Sequence, residues 1–325
     1  MTDAARYEPL LSVRDLRTYF FTRSGVVRAV NGVSFDVFPG EVVGMVGESG
    51  CGKTVTALSV LDLIDPPGQV VGGEVVFNGR DLLKLGGRDL RRIRGNDIAM
   101  IFQNPVGALN PVFSVGRQLS EAILAHQDVS KQQAREQAIQ LIERVGIPDP
   151  VRRLRQHPHQ FSGGMAQRVV IAMALANQPK LLIADEPTTA LDVTIQAQIL
   201  DLLRELNQEY GMAVIHITHN MALVAESCDR TIVMYGGKIS ESGRTETVFE
   251  RPLHPYTQAL LESVPNLEDD EQDLVPLEGF PPDITEEWVG CEFEPRCAQR
   301  IDRCALENPA LRDAEPGHAV RCHLY

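Results

Sequence analysis

The sequence predicts an α/β protein built on a mostly parallel sheet, with a block of helices inserted into it. Short apolar strands alternate with helical segments, at 41–46 and 54–63 and again at 181–184 and 195–207. This alternation is typical of folds in which crossover helices cover a parallel sheet. A polar segment rich in Gln, Glu and Ala at 115–145 interrupts the alternation and indicates the inserted helices.

The first third of the chain indicates a smaller, strand-rich region. Residues 11–22 and 26–37 alternate apolar and polar side chains on either side of Ser24-Gly25. Residues 75–77 precede the turn pair Asn78-Gly79, which favours a hairpin. We therefore expect antiparallel strands there.

Composition excludes several classes of function. The chain has 325 residues, a length typical of about two domains, and its formal net charge is −13. That charge disfavours a protein that coats nucleic acid, because such binding depends on Lys and Arg neutralising phosphates. Six cysteines are too few for a disulfide-built scaffold of this length. Residues 1–12 lack an apolar signal-peptide core, and no apolar run reaches the roughly 18 residues that span a bilayer. We expect a cytosolic chain, peripheral to any membrane.

A phosphate-binding loop is predicted between the strand 41–46 and the helix 54–63. Its residues fit the pattern G-x-x-x-x-G-K-[ST]: Gly47, Glu48, Ser49, Gly50, Cys51, Gly52, Lys53 and Thr54. Glycines let backbone N–H groups face an anion, and the helix N-terminus adds about half a positive charge. Lys53 would supply a point charge to the β- and γ-phosphates, and the Thr54 hydroxyl would ligate Mg²⁺. Cys51 is interpreted as a small filler.

Polar residues that follow three other strands would complete this site. Asp185 and Glu186 end the apolar strand 181–184, which would deliver Asp185 to Mg²⁺ and Glu186 to an attacking water as general base. Gln103 follows an apolar run, so we expect its amide near the same sheet edge and the same metal. His219 follows the strand 213–218, where its imidazole would hydrogen-bond a γ-phosphate or orient Glu186. Taken alone, His219 is more typical of an exposed loop histidine.

The order of these motifs resembles that of ABC-transporter ATPases, over about residues 10–250. Phe161 to Arg168 are similar to the family's signature, Gln103 to its Q-loop, Thr189 to Asp192 to its D-loop and His219 to its H-loop. The resemblance implies a P-loop NTPase fold with a parallel core sheet, an antiparallel β subdomain and an inserted α-helical subdomain.

The resemblance also implies a head-to-tail dimer that encloses ATP and Mg²⁺. The phosphate loop of one subunit would face Ser162, Gly163 and Gly164 of the other, with Asp192 at the D-loop. These signature residues precede an apolar helix at 165–176, whose N-terminus would attract phosphate. A plain helix start is the alternative interpretation.

Three residues depart from the family's pattern. Phe161 stands where Leu is usual, Met165 where Gln is usual, and Asn220 where Asp is usual. These departures put the contacts of those side chains in doubt and leave the phosphate loop, the metal ligand and the base intact.

An aromatic residue near the start of the fold stacks on adenine in this family. Phe20 aligns best with that position, and Tyr19 and Phe21 are close competitors.

A narrower resemblance is to the ATPase subunits of oligopeptide and dipeptide importers, carried by 102–111, Arg251 to Thr257 and the tail cysteines. It implies an ATPase at the cytoplasmic face of the membrane, peripheral, paired with an identical or related ATPase subunit. This pair would power alternating access in two membrane permease subunits, fed indirectly by an extracytoplasmic substrate-binding protein. Importers of nickel or of sugars share much of the pattern.

Other function classes stay open but are disfavoured. A soluble ABC ATPase acting on nucleic acid or ribosomes usually carries two nucleotide sites in one chain, or zinc modules or coiled-coil arms inserted in the domain. This sequence has one such site, no long heptad run and an acidic balance of charge, so we expect no nucleic-acid partner. An inactive scaffold is disfavoured because Glu186 and His219 are both present.

Four cysteines near the C-terminus form a second candidate site: Cys291, Cys297, Cys304 and Cys322. Thiolates ligate Zn²⁺ or iron–sulfur clusters, and structural zinc sites usually have closer ligand spacing. The resemblance implies a [4Fe–4S] cluster, and zinc, free thiols or disulfides are the alternatives.

The expected domains are an ABC nucleotide-binding domain over 1–250, with its helical subdomain at about 104–176, and a C-terminal extension over 251–325. The extension would combine an acidic linker at 265–287 with the Cys-rich region. That linker holds nine acidic residues and no Lys or Arg, so the rest of the chain is close to neutral.

Overall fold

The structure is a computed structural model that describes residues 8–188, 191–263, 277–286 and 288–325. The chain divides into two compact units, one made of 1–84 and 216–325 and the other of 85–215. Of the acidic segment predicted at 265–287, only 277–286 lies within the described residues. In the described part of the chain, no helix has the length and apolar character needed to cross a bilayer.

The described strands, in chain order, are β1 (Leu11–Thr22), β2 (Gly25–Val37), β3 (Val42–Val46), β4 (Gly68–Phe77), β5 (Arg80–Asp81), β6 (Ile98–Ile101), β7 (Leu181–Asp185), β8 (Ala213–Ile217), β9 (Arg230–Tyr235), β10 (Lys238–Arg244), β11 (Arg312–Glu315) and β12 (His318–Val320).

The described α-helices are α1 (Lys53–Val60), α2 (Gly87–Ile93), α3 (Pro105–Ala108), α4 (Val115–Leu124), α5 (Lys131–Arg144), α6 (Pro150–Arg153), α7 (Gly163–Ala174), α8 (Val193–Tyr210), α9 (Met221–Ser227), α10 (Thr245–Glu250), α11 (Pro255–Glu262) and α12 (Asp302–Leu306). Short 3₁₀ turns lie at Leu82–Lys84, Pro158–Gln160 and Glu294–Arg296.

The first unit contains the antiparallel sheet that the alternating segments predict, in the order β2-β1-β4-β5. Its register places Leu11 of β1 opposite Val37 of β2 and Phe77 of β4. Leu11, Val13 and Leu16 are fully buried, so the apolar face of β1 forms part of the core. Leu11 and Val13 follow period-two alternation, because successive side chains of a strand point to opposite faces, and a register shift breaks the alternation between Val13 and Leu16.

The same unit holds a second run of strands in the order β11-β12-β10-β9-β3. β3 and β9 are parallel, whereas β9, β10, β12 and β11 pair antiparallel. Four of the five residues of β3 are buried, which explains its continuous apolar sequence. β3 ends at Val46 and α1 begins at Lys53, so the predicted phosphate loop joins a buried strand to a helix.

The second unit pairs β6 with β7 in parallel, with Ile98 opposite Leu181 and Ile101 opposite Ala184. The α/β class and the parallel core pairing are thereby confirmed. The helical segment predicted at 115–145 is two helices, α4 and α5. It divides because the Ser130 side chain accepts the Gln133 N–H and the Gln133 side chain accepts the Ser130 N–H, a capping box that starts a new helix.

Candidate nucleotide site

The phosphate loop, residues 47–54, takes a backbone shape that its glycines permit. Gly47, Gly50 and Gly52 have φ of 147°, 80° and 106°, in the region that side-chain-bearing residues rarely adopt. A Cβ atom at Gly47 would lie 2.2 Å from the Met234 carbonyl oxygen, and one at Gly52 would lie 2.4 Å from the Ala29 carbonyl oxygen. Both positions therefore require glycine for space as well as for φ.

Lys53, the first residue of α1, turns its ammonium group back into the loop. Its Nζ donates to the carbonyl oxygens of Gly47 and Glu48, at 2.7 and 2.9 Å, and the residue is 6% exposed. Gly52 is the N-cap, so the residue at this position makes no side-chain hydrogen bond to the helix. A cation and a helix N-terminus at one loop form an anion-binding arrangement.

The other loop residues differ in exposure. Ser49, Gly50 and Thr54 are exposed, and Cys51 is buried. Burial raises the pKa of the Cys51 thiol, which keeps it protonated and agrees with its interpretation as a filler.

In the second unit, Asp185 is the last residue of β7 and is 2% exposed, and Glu186 follows it half-buried. Glu186 has φ of 45°, a left-handed conformation that is strained for a residue with a Cβ and is concentrated at functional sites. Gln103, two residues after β6, donates from Nε2 to Glu186 Oε2 at 2.8 Å. The structure therefore brings the predicted Q-loop amide and the predicted base into contact.

His219 belongs to the first unit and lies two residues after β8, with its side chain exposed. The next residue, Asn220, caps α9 by accepting the N–H groups of Ala222 and Leu223. Asn and Asp cap helices about equally well, so the amide keeps this role at the position where the family usually has Asp.

The predicted signature lies at the start of α7, within the second unit. Ser162 is the N-cap, and its hydroxyl accepts the Met165 N–H at 3.4 Å. The helix begins at Gly163, two residues earlier than predicted, so Gly163 and Gly164 form its first turn. A Cβ at Gly164 would lie 2.7 Å from Ile195 Cγ2, which explains the absence of a side chain there.

Asp192 of the predicted D-loop caps α8, because its carboxylate accepts the Ile195 N–H at 3.0 Å. Thr189 and Ala190 of the same motif lie outside the described residues.

The three aromatic candidates for adenine stacking occupy different environments. Phe20 is half-buried and its ring lies beside Gly68 of β4. The Tyr19 hydroxyl donates to Asn31 Oδ1 at 2.9 Å, and the ring lines a cavity of about 250 Å³ with Arg28 and others. Phe21 is 46% exposed. The placement of Phe20 as the stacking residue stays a prediction.

The four tail cysteines are free thiols that lie in one region of the first unit. Cys291 interacts electrostatically with Cys304 and Cys322, as does Cys297, and the Cys291 N–H donates to the Cys304 carbonyl at 2.7 Å. Burial raises the pKa of Cys291 to about 12 and also raises that of Cys297 and Cys322.

No group of three or more His, Cys, Asp or Glu side chains that could hold a metal ion occurs among the described residues. As placed, the tail thiols therefore do not fit a metal centre, and the predicted [4Fe–4S] cluster has no support in their geometry.

Sequence reasoning missed two residues that contact the phosphate loop. The Glu48 N–H donates to the Tyr256 hydroxyl at 2.8 Å, and the Glu48 carboxylate forms an ion pair with Arg296 at 2.7 Å. Tyr256 lies within Arg251 to Thr257, residues that served above only as evidence for the resemblance to peptide importers. No local signal points to Arg296, which is 248 residues from Glu48 in the chain.

Comparison with known proteins finds matches to the same family and subfamily that the sequence motifs resemble. The ABC transporter family model matches residues 30–189, and the model of the oligopeptide/dipeptide transporter C-terminal region matches residues 240–304. A probable peptide ABC transporter ATP-binding protein of Sinorhizobium fredii is 52% identical over 96% of this chain and 94% of its own length. The dipeptide transport ATP-binding protein DppD of Escherichia coli is 50% identical over 97% of this chain and 96% of its own.

Solved structures with the same fold include a dimeric ATP-binding cassette in a post-hydrolysis state, bound to ADP and Pi. Its TM-score is 0.66 and its identity 26%, with 72% of this chain and 98% of that chain covered. Another is cbiO1 from Clostridium perfringens, with a TM-score of 0.64, 26% identity, and coverage of 75% of this chain and 92% of that chain.

Proposed function

The chain belongs to the ABC transporter family, as an ATP-hydrolysing subunit of a dipeptide/oligopeptide importer, and we propose that its loop 47–54 holds the phosphates of ATP. The observation that carries this proposal is the Lys53 ammonium, buried within the loop at the N-terminus of α1. It now binds the carbonyl oxygens of Gly47 and Glu48, which are replaceable by phosphate oxygens. Hydrogen bonds to phosphate are charge-assisted and about twice as strong as neutral ones.

We assign binding of Mg²⁺ and activation of the attacking water to residues at the ends of strands and helices whose side chains carry oxygen atoms. Thr54 and Asp185 would hold Mg²⁺, a cation that prefers hydroxyl and carboxylate oxygens and, when bound, neutralises charge on the phosphates. Gln103 is a further candidate ligand through its amide oxygen. Glu186 would accept a proton from the attacking water, and its bond from Gln103 Nε2 orients the carboxylate that does so. His219 would contact the γ-phosphate from its exposed position after β8.

The second half of the ATP site would come from another ATPase subunit, identical or related. Ser162, Gly163 and Gly164 open α7 with exposed or half-buried residues, so this helix N-terminus is accessible to a partner's nucleotide. Asp192 would approach the same interface. We place the pair at the cytoplasmic face of the membrane, below two permease subunits that a substrate-binding protein supplies with peptide.

Two variants test the site. Lys53→Ala should abolish ATP binding by the full chain, measured by calorimetry with ATP, because the loop loses its only point charge for phosphate. Glu186→Gln should keep ATP binding but abolish hydrolysis and trap an ATP-bound dimer with the partner subunit. Lys84→Ala removes an exposed lysine paired with Asp81 and is the matched control. Unchanged ATP affinity in Lys53→Ala would refute the assignment of the loop.

The [4Fe–4S] cluster stays a prediction for the region of Cys291, Cys297, Cys304 and Cys322. Four free thiols in one region favour it, and the lack of a metal-holding group of three or more His, Cys, Asp or Glu side chains among the described residues opposes it. Anaerobically purified protein should contain about four iron and four sulfide per chain if the cluster is present. A colourless protein without iron would remove this cofactor from the description.

A further inference from the structure

The phosphate loop is held at Glu48 by two residues of the C-terminal part of the chain. Tyr256 accepts the backbone N–H of Glu48, and Arg296 binds its carboxylate. All three residues belong to the first compact unit. Both contacting residues lie within 240–304, the region matched by the oligopeptide/dipeptide transporter C-terminal model.

The guanidinium group of Arg296 donates hydrogen bonds to several residues of the first unit. Its Nη1 and Nη2 donate to the two Glu48 carboxylate oxygens at 2.7 and 3.0 Å, a two-bond fork. Nη1 also donates to the Tyr235 hydroxyl, Nη2 to the Leu277 carbonyl and Nε to the Glu278 carbonyl. All five N–H donors of the guanidinium are therefore used, and its side chain is only 4% exposed. Such a group is held in one position.

Tyr256 is fixed equally well. It is fully buried at the start of α11, and its ring centroid lies 4.5 Å from that of Tyr235 and 5.4 Å from that of Phe293. These aromatic contacts fix the hydroxyl that accepts the Glu48 N–H.

The charge of Glu48 gives these contacts a functional consequence. A carboxylate inside a phosphate loop repels the phosphates that the loop binds, and the Glu48 side chain is 27% exposed, so solvent screens this repulsion only in part. Arg296 neutralises it through the fork, and Tyr256 fixes the backbone at the same residue. We propose that Arg296, with Tyr256, is a positioning residue through which the C-terminal region sets the affinity of the phosphate loop for ATP. The proposal rests on the proposed role of loop 47–54 in nucleotide binding.

The central test measures the ATP affinity of the full chain by calorimetry, and KM and kcat for ATP in the assembled transporter. Arg296→Ala should raise Kd and KM about tenfold, while kcat changes less than about twofold, because the chemical step uses other residues; a tenfold change corresponds to about 1.4 kcal/mol. Arg303→Ala, which breaks an exposed pair with Glu307, is the matched control and should leave all three values unchanged.

Rescue separates electrostatics from folding. Adding Glu48→Gln to Arg296→Ala removes the uncompensated carboxylate and should return KM to within about threefold of wild type. Arg296→Lys keeps a positive charge but cannot form the two-bond fork, so its KM should lie between those of wild type and Arg296→Ala. Should Arg296→Ala fail to fold, the double variant and the lysine variant still give the comparison. Tyr256→Phe, which keeps the ring, should raise KM without restoration by Glu48→Gln, because it removes only the acceptor of the backbone N–H.

Two results would overturn the proposal: equal KM values for Arg296→Ala and Arg303→Ala, or a raised KM that Glu48→Gln does not restore. Lys53→Ala distinguishes this failure from failure of the nucleotide site. If Lys53→Ala abolishes ATP binding while Arg296→Ala does not change it, only the positioning role falls. If Lys53→Ala binds ATP normally, the site itself falls.

Discussion

Acid should destabilise the first unit through His254, the residue that precedes α11. His254 is 4% exposed, and its Nδ1 accepts the Tyr256 N–H at 3.0 Å as the N-cap of that helix. Burial away from water lowers the pKa of His254 from 6.5 to about 4. Protonation would place a charge in the core and also remove the acceptor at Nδ1.

The sign and size of the effect follow from the pKa difference between states. Below pH 6.5 the unfolded chain binds a proton that the folded chain refuses, so the free energy of unfolding falls as pH falls. Stability is fully present above pH 6.5 and is lost progressively toward pH 4. Each pH unit in that window costs about 1.4 kcal/mol, so going from about pH 7.5 to about pH 5 should cost about 2 kcal/mol from this one residue.

The assay is urea unfolding of the full chain at several pH values across that range. His254→Asn keeps an N-cap acceptor and removes the titrating ring. It should be less stable than wild type near neutral pH, because the ring packing is lost, yet lose about 2 kcal/mol less on acidification. His216, also buried with its pKa lowered to about 4 by desolvation, continues to titrate in both proteins. Equal losses of stability in the two proteins would refute the argument for His254.

Four further variants, one of them a control, test local features of the second unit. Gly164→Ala should destabilise by about 1–3 kcal/mol, because the new Cβ would lie 2.7 Å from Ile195 Cγ2, whereas Gly163→Ala makes an ordinary 3.6 Å contact and should fold as wild type in thermal unfolding. Ser130→Ala should cost about 1 kcal/mol by removing the N-cap of α5, measured by chemical unfolding. Asp192→Asn keeps the oxygen that caps α8, so it should leave stability unchanged. Reduced ATP turnover in this variant would show that Asp192 acts at the dimer interface as well as in capping. Unchanged turnover would exclude a role of its charge at that interface.

Local sequence signals predicted the elements around the site well. The run of apolar residues before Asp185 predicted a buried strand, and β7 is buried along its whole length. The loop pattern predicted a glycine-rich connection between a strand and a helix, and Gly47 and Gly52 in it have positive φ values, 147° and 106°, that glycine adopts without strain. One readable signal was missed: Ser130 and Gln133 have the spacing of a capping box, and they begin a new helix within the helical segment 115–145, for which no internal boundary was predicted.

The contact between Glu48 and Arg296 could not be predicted in this way, because pairing across 248 residues depends on the folded chain and leaves no periodic or local pattern. In the sequence, Glu48 is one of four variable positions of the loop pattern, and Arg296 is an ordinary basic residue beside Cys297. The folded structure shows what the sequence does not: the Glu48 carboxylate is one half of an ion pair whose other half, Arg296, is buried. The match to one solved ATP-binding cassette spans 98% of that cassette but only 72% of this chain. On the proposal above, Arg296 and Tyr256 let the C-terminal region set the affinity of the loop for ATP, through the contacts that both residues make with Glu48.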